Sequence, residues 1–169
     1  SGDGDYISDY DAFGIYNPLK MCANCGFVYV EEPLDERSLD LFYNDEYAAL
    51  DEAFIVGPER KFHNQYNATK AKMNFWEQHV KFNQVQTMLD FGCSYGGSMQ
   101  VFHEIGVTAH GFELSESARK SVSKKFPVFS SFEELAVGAY DLVLCQSVLE
   151  HVLDPIEVIR VLCASLKQN

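Results

Sequence analysis

The sequence predicts an α/β fold in which a parallel sheet lies between two layers of helices, preceded by a small N-terminal extension. Short apolar segments alternate with helical patterns across residues 84–166, a glycine-rich turn follows the first apolar segment, and acids stand at the ends of two neighbouring segments. Parallel strands need crossover connections, usually helices, so this alternation is typical of a three-layer α/β sheet.

The glycine-rich turn begins after an apolar segment, 85–91, which contains Asp90 and is predicted to be a buried strand. Three glycines follow, Gly92, Gly96 and Gly97. A helical pattern over 98–105 comes next. Glycines allow positive φ angles and close approach of a backbone to a ligand, and a helix N-terminus offers unpaired N–H groups. The turn is therefore a predicted ligand site.

Two nucleotide-cofactor interpretations compete for this turn. A dinucleotide fingerprint needs G-x-G-x-x-G, and the spacing here, G-x-x-x-G-G from Gly92 to Gly97, lacks the middle glycine. The carboxylate of Asp90 would repel a pyrophosphate but suits a ligand with an ammonium group. S-adenosylmethionine (SAM) carries an ammonium and a sulfonium, so the acid favours SAM over NAD.

A second acid supports the same interpretation. Residues 107–113 are predicted to form the next strand, which ends at Glu113, about 20 residues beyond the turn, where a carboxylate can accept both ribose hydroxyls. Ser115 is a predicted N-cap for a helix over 116–125.

These segments resemble the class I SAM-dependent methyltransferases. The motif D-F-G-C-x-x-G at 90–96 resembles their motif I, and residues 139–155 resemble their strand-four region, F-D-x-V-x-x-x-x-V-L-E-H-x-x-D-P. The resemblance covers roughly residues 84–166 and is strongest to the small-molecule branch. It implies a Rossmann-like sheet with strand order 3-2-1-4, which the family continues with three later strands that this chain lacks.

The resemblance also implies roles for individual residues. His151 is the candidate general base, since an unperturbed histidine titrates near neutrality, and Glu150 is its partner. In the family, this pair also serves to fix the loop and the helix start, so both interpretations stay open. The candidate cofactor-binding residues are Asp90, Gly92, Cys93, Gly96, Gly97, Glu113, Leu114, Ser131, Phe132 and Gln146.

The remaining elements follow from periodicity and from turn signals. Residues 35–47 and 59–82 are predicted helices separated by a break at Gly57-Pro58, which divides an N-terminal extension, 1–58, from an incomplete SAM-binding domain, 59–169. Further predicted elements are a strand at 127–130, a helical turn at 132–135, a strand at 141–146 and a helix from an Asp154 cap to about 166. Weak pocket candidates are Tyr43, Tyr47, Arg60 and His63.

Two cysteines in the extension raise the question of zinc. Cys22 and Cys25 form a C-x-x-C before a glycine and an alternating strand, as in half of a zinc ribbon. Structural zinc needs four ligands, and only this pair is present locally. The family often opens with a ribbon of this kind, so zinc stays an alternative to two reduced thiols in a hairpin.

Composition excludes several classes of protein. The formal net charge of −12 argues against nucleic acid and against an anionic membrane surface as partners. No apolar run approaches ~18 residues and no leader pattern precedes the domain, so a membrane protein is not expected. The five cysteines, widely spaced, do not suggest a disulfide framework, which favours a reducing cytoplasm.

We therefore expect a SAM-dependent methyltransferase that acts on a small molecule. Because the chain stops after the predicted helix at 155–166, the strand at 141–146 would be an open edge, which is an aggregation hazard. A shortened chain or a homodimer that covers this edge would account for it. The alternative function is a non-catalytic SAM-binding or interaction fragment.

Overall fold

The computed structural model of the chain forms two compact units, residues 1–43 and 44–169, and each is described by itself. The predicted domain division between residues 58 and 59 stays a prediction. The structure describes residues 4–10, 16–31, 33, 35, 37–38 and 57–168.

The first unit contains a three-stranded antiparallel sheet in the order β1-β2-β3. Its strands are β1 (Gly4–Tyr10), β2 (Tyr16–Cys22) and β3 (Val28–Val30). The sequence predicts β3 but neither β1 nor β2. The pairing of β1 with β2 shifts register between Tyr6 and Ser8 and again between Ser8 and Tyr10, and these irregularities break the two-residue alternation that identifies a strand.

The second unit contains a four-stranded parallel sheet with helices on both faces. The sheet order is β6-β5-β4-β7, which confirms the predicted order 3-2-1-4. Its strands are β4 (Thr87–Phe91), β5 (Thr108–Phe112), β6 (Val128–Phe129) and β7 (Leu142–Cys145). Its helices are α1 (Pro58–Trp76), α2 (Gly97–Glu104), α3 (Glu116–Val122) and α4 (Pro155–Ser165). Short 3-10 turns occupy Phe82–Gln84, Phe132–Glu134 and Leu149–His151.

The alternation of side chains along β4 divides the core between the two faces of the sheet. Met88 belongs to a cluster that includes Met73 of α1 and Phe102 of α2. Leu89 belongs to a second cluster, with Val158 and Leu162 of α4. Successive strand residues face opposite sides, so β4 is buried on both faces between the two helical layers.

Helix α1 ends at Trp76, six residues before the predicted end at 82. The backbone N–H groups of His79 and Val80 both donate to Trp76 O, which closes a tight turn. This turn lets Phe82 leave the helix and pack edge-to-face on Phe102, at a ring centroid distance of 5.4 Å. The apolar residues after Trp76 thus continue the helical spacing in the sequence, but they reach the core from a turn and not from α1.

One side-chain network and one backbone bridge fix the sheet at its amino-terminal edge. Asp141, before β7, accepts hydrogen bonds from the backbone N–H groups of Gln86 and Thr87 (3.0 and 2.9 Å) and from Lys167 Nζ (2.8 Å). These bonds hold the pKa of the Asp141 carboxyl well below its usual range, with the Lys167 bond first among the causes. Tyr140 forms an isolated parallel bridge with Leu166.

The helix predicted at 35–47 lies mostly outside the described residues, of which Arg37 and Ser38 are helical. The pocket candidates Tyr43 and Tyr47 also lie outside them. Among the residues that the structure describes, no helix combines the length and the apolar character needed to cross a membrane. The predicted homodimer stays a prediction.

Candidate functional site

Two carboxylates stand at the carboxyl ends of neighbouring strands, Asp90 within β4 and Glu113 directly after β5. Asp90 is only 3% exposed, and its Oδ2 atom has no hydrogen-bond partner in the described part of the chain. Burial, with the negative charge of Glu113 second, raises the pKa of Asp90 to about 7. A buried carboxyl without a partner is costly, which marks this position as a candidate site.

Glu113 is held by backbone groups on both sides. Its Oε2 accepts from Ser94 N at 2.8 Å, and its Oε1 accepts from Ser115 N at 2.7 Å. The first bond ties it to the glycine turn and the second to the start of α3, so its orientation is set by two elements. The adjacent Leu114 is 71% exposed, and its carbonyl accepts from Arg119 Nη1 at 3.0 Å.

The turn between β4 and α2 contains three residues in the left-handed region, with φ of 79° at Gly92, 48° at Ser94 and 80° at Gly96. The N–H groups of Gly92 and Cys93 both donate to Phe112 O, at 2.8 and 3.0 Å. These bonds fold the turn back over the end of β5. Glycine at two of the three positions removes the Cβ strain that this conformation would otherwise cost.

Protein packing also requires the glycines. A Cβ on Gly92 would lie 2.3 Å from Val148 Cγ2. A Cβ on Gly97 would lie 2.4 Å from Phe62 O of α1, so the two helices meet backbone to backbone there. Both residues would be glycine in this fold whether or not they touch a ligand, and their contact with a ligand stays a prediction.

Cys93 lies fully buried in the turn. Its Sγ sits 2.5 Å from where a Cβ on Gly111 would be, so the thiol fills the space above that strand residue. Burial, together with the charges of Asp90 and Glu113, raises the pKa of the thiol well above its usual range. A thiol that stays protonated is a poor nucleophile and packs as an apolar group.

An aromatic cluster lies near the end of β5. The ring of Phe132 stacks on Phe112 at 5.4 Å and lies 6.0 Å from Phe91, and it remains 38% exposed. The neighbouring Ser131 is held by its backbone N–H, which donates to Glu134 Oε2 at 2.9 Å. The partly exposed ring offers a flat apolar surface next to Phe112, the residue before Glu113.

Gln146 follows β7 and contacts a residue far away in the sequence. Its Oε1 accepts from Lys72 Nζ of α1 at 2.8 Å. Its Nε2 is buried and has no hydrogen-bond partner in the described residues. The side chain is therefore fixed at one end and unsatisfied at the other.

Glu150 and His151 lie on the exposed 3-10 turn Leu149–His151, four and five residues after Gln146. Glu150 Oε1 and His151 Nε2 are 4.0 Å apart, and both side chains are more than half exposed. The pair thus follows the strand whose end carries Gln146. Arg60 and His63 line an open cleft of about 570 Å³ at the start of α1.

The cysteine pair of the N-terminal unit lies in the turn between β2 and β3. Backbone N–H groups of Asn24 and Cys25 lower the pKa of the Cys22 thiol. Within the described ranges, no group of three or more His, Cys, Asp or Glu side chains could hold a metal ion. Cys22 and Cys25 therefore have no further ligands there, and the structure does not support zinc.

Residues of α1 that the sequence did not single out hold the turn in place. Gln65 Oε1 accepts from Gly97 N at 2.8 Å, and thereby caps α2, whose own N-cap residue has no capping side chain. Thr69 and Ser98 share a buried 2.8 Å hydrogen bond between the same two helices. The one sequence signal is the second glycine of the Gly96-Gly97 pair, which suggests a close backbone approach.

Comparison with known proteins finds methyltransferases among the sequences similar to this chain. The "Ubiquinone biosynthesis O-methyltransferase" of Bordetella avium is 29% identical over 137 residues, which cover 72% of this chain and 54% of that protein. That of Vibrio parahaemolyticus is 33% identical over 90 residues, 47% of this chain and 38% of that protein. The chain spans about half the length, or less, of the curated relatives it matches.

Solved structures agree on the fold. A SAM-dependent methyltransferase from Archaeoglobus fulgidus superimposes with a TM-score of 0.52 at 22% identity, over 73% of this chain and 54% of that one. The plantazolicin methyltransferase BpumL, solved with S-adenosylhomocysteine, gives 0.50 at 17% identity, over 76% of this chain and 52% of that one.

The family model of the methyltransferase domain matches residues 60–169. That match spans well over half of the sequence and includes β4, the glycine turn and both carboxylates. The chain therefore belongs to the methyltransferase-domain family, and its sheet is the Rossmann-like sheet of the class I SAM-dependent methyltransferases.

Proposed function

We propose that this chain binds SAM over the turn between β4 and α2 and transfers a methyl group to a small-molecule acceptor. One observation carries the proposal: Asp90 and Glu113 end neighbouring parallel strands on either side of a left-handed turn. In open α/β sheets, ligands bind at the carboxyl ends of the strands. Two carboxylates at that edge favour a ligand with positive charge.

The geometry of Glu113 supports a role in holding the ribose. An ionised carboxylate offers about four lone-pair sites, and the backbone N–H groups of Ser94 and Ser115 use two of them. The other two can accept the ribose hydroxyls, and the backbone bonds fix the carboxylate beforehand. Preorganisation of this kind lowers the entropy lost on binding.

The aminoacyl end would lie beside Asp90 and the turn that contains Gly92, Cys93, Gly96 and Gly97. The Oδ2 atom of Asp90, buried and without a partner, fits an ammonium, because a charge-assisted hydrogen bond would satisfy it. An ammonium there would also favour the ionised form of a carboxyl whose pKa is raised to about 7. The residues present therefore fit the cofactor.

The adenine would stack beside Phe132, with Leu114 and the backbone of Ser131 at its edge. The exposed face of the Phe132 ring supports this placement, since aromatic faces attract planar bases. The ring also stacks on Phe112, which restricts its orientation.

SAM supplies an electrophilic methyl group, and the protein would supply proximity, orientation and a base. Gln146 would line the floor near the methyl. His151 would accept a proton from the acceptor, and Glu150 would orient its ring. The name of the relatives, O-methyltransferase, supports a hydroxyl as the acceptor group. A base is needed there because a neutral hydroxyl is a weak nucleophile.

Calorimetric titration with S-adenosylhomocysteine tests cofactor binding. We expect Glu113→Gln to weaken binding roughly tenfold or more, because a hydrogen bond to a charged group contributes ~1.5–3 kcal/mol. Glu116→Gln is the matched control, since Glu116 is exposed on α3 and forms an ion pair with Lys120, one helical turn away. Equal affinity of both variants would contradict the proposed site.

Methyl transfer from labelled SAM to a set of small hydroxylated compounds tests catalysis. We expect incorporation by the unchanged chain and a large loss on His151→Ala, with cofactor affinity retained. A chain that binds the cofactor but transfers no methyl to any acceptor would favour the alternative, a non-catalytic SAM-binding fragment.

A further inference from the structure

The N-terminal unit carries two thiols on one exposed turn. Cys22 ends β2, and Cys25 lies in the turn that leads to β3. The backbone N–H of Gly26 donates to Cys22 O at 2.9 Å, and that of Cys22 donates to Phe27 O at 2.8 Å. These two bonds close the turn, and the φ of 73° at Gly26 lets the chain reverse there. The fold of the hairpin therefore holds the two thiols close to one another.

The spacing of the two cysteines fits a disulfide. Cα atoms three residues apart across a tight turn lie less than ~7 Å apart, and a disulfide spans ~4.4–6.8 Å between Cα atoms. The backbone N–H groups of Asn24 and Cys25 donate to the sulfur of Cys22, and the Cys25 thiol contacts the same sulfur. A bond between the two sulfurs therefore needs little movement of the backbone.

The turn is also open to small molecules, which distinguishes this pair from the other cysteines of the chain. Cys25 is exposed, Cys22 is half-buried, and both residues between them are exposed. Cys93 is fully buried and Cys145 half-buried, whereas Cys163 is exposed on α4 but has no second cysteine near it in the sequence. Oxidation of thiols follows exposure and the nearness of a second thiol, so it should be selective for the turn.

We propose that Cys22 and Cys25 form a reversible disulfide by exchange with a small disulfide, of which oxidised glutathione is the probe. The site lies in the N-terminal unit, and the inference is independent of the proposed methyl transfer. The same two thiols that lack further metal ligands in the described ranges thus form a site of redox modification.

The exchange takes place in two steps that balance. The Cys22 thiolate attacks one sulfur of oxidised glutathione, which forms a mixed disulfide and releases one glutathione thiolate that takes up the proton lost by Cys22. The Cys25 thiolate then attacks the Cys22 sulfur, forms the intrachain bond and releases the second glutathione, which takes up the proton lost by Cys25. Two protein thiols are oxidised, and one small disulfide is reduced to two thiols.

The test follows the products by mass. The folded chain is incubated with ~0.1 mM oxidised glutathione in metal-free buffer, remaining thiols are alkylated, and intact mass and peptide mapping identify the products. Cys22→Ser and Cys25→Ser each remove one partner. Cys163→Ser is the matched control, because Cys163 is an exposed cysteine outside the turn.

We expect the unchanged chain and Cys163→Ser to lose two hydrogen atoms, with the new bond mapped between Cys22 and Cys25 and reversed by dithiothreitol. A neighbouring thiol acts at an effective concentration in the millimolar range or above, so the intrachain product should exceed the mixed disulfide about tenfold or more. Cys25→Ser should stop at a mixed disulfide on Cys22, and Cys22→Ser should form no intrachain disulfide at the turn.

Three results would overturn the inference. Retention of both thiols in the unchanged chain would show that the turn is closed to exchange. Mixed disulfides at Cys22 and Cys25 without the intrachain bond would show that the two sulfurs do not meet. An intrachain disulfide that maps to Cys163 would assign the chemistry to another pair. Because the readout is mass and no cofactor is present, each of these results leaves the proposed function untouched.

Discussion

The contact between α1 and α2 predicts that Gly97→Ala strongly destabilises the chain. The added Cβ would lie 2.4 Å from Phe62 O and 2.6 Å from Tyr66 N, whereas ordinary contacts start near 3.4 Å. The obstructing atoms are backbone, so α1 has to retreat by about 1 Å. That movement would stretch two 2.8 Å hydrogen bonds between the helices beyond normal length, Gly97 to Gln65 and Thr69 to Ser98.

The magnitude follows from these losses. Overpacking costs ~1–3 kcal/mol, and a buried hydroxyl left unsatisfied costs another ~1–3 kcal/mol. Alanine returns at most ~1 kcal/mol of helix propensity. The free energy of unfolding should therefore fall by roughly 3 kcal/mol, which at ~2–4 °C per kcal/mol lowers Tm by about 6–12 °C.

Thermal unfolding followed by circular dichroism measures this shift. Gly57→Ala is the matched control, because a Cβ on Gly57 meets no atom within 4 Å and its φ of −48° suits alanine. As an N-cap, Gly57 should lose at most ~1 kcal/mol on this change. A Tm for Gly97→Ala equal to that of the control would refute the packing argument.

Three further predictions concern single buried or paired groups. The Tm of Asp90→Asn should rise relative to the Tm of the unchanged chain as the pH increases from about 4 to about 7. In that window the folded Asp90, with its pKa raised to about 7, keeps a proton that the unfolded chain has lost. Asp141→Asn should lower Tm at pH 7, and the difference should shrink below about pH 4, because a depressed folded-state pKa stabilises only while the carboxylate is charged. Thr69→Val should cost ~1–3 kcal/mol in urea unfolding by leaving Ser98 unsatisfied, and adding Ser98→Ala should recover most of it; a double variant weaker than the single one would argue against a simple hydrogen-bond pair.

The strands and the acid positions could be predicted because their signals are local. The apolar segment before Asp90, the glycines after it and the acid at Glu113 each depend on residues near one another in the chain. The structure places β4, β5 and β7 within one residue of the predicted bounds at each end, except at the start of β4, which begins two residues later. Buried parallel strands read as continuous apolar runs, which is a strong and short-range pattern.

The contacts of α1 could not be predicted for the opposite reason. Gln65 lies 32 residues from the N–H it caps, and Lys72 lies 74 residues from Gln146. Nothing in the local pattern distinguishes a polar residue that faces α2 from one that faces water. The β1-β2 hairpin was missed because its bulges interrupt the alternation that predicts a strand.

Stability and binding are coupled at the carboxyl edge of the sheet because the same side chains serve both. Asp90 is buried near the negative charge of Glu113, and its Oδ2 atom has no partner in the described residues, so its ionisation destabilises the folded chain. Helix α1 holds this arrangement through Thr69 and Gln65, so the packing of one helix stabilises a site that is itself unfavourable. Binding of a ligand to the folded state adds RT ln(1 + [L]/Kd) to the stability of that state. A cationic ligand that satisfies Asp90 should therefore raise the Tm of the unchanged chain by more than it raises the Tm of Asp90→Asn. A ligand-induced Tm shift that survives Asp90→Asn unchanged would mean that the buried carboxylate does not contribute to recognition.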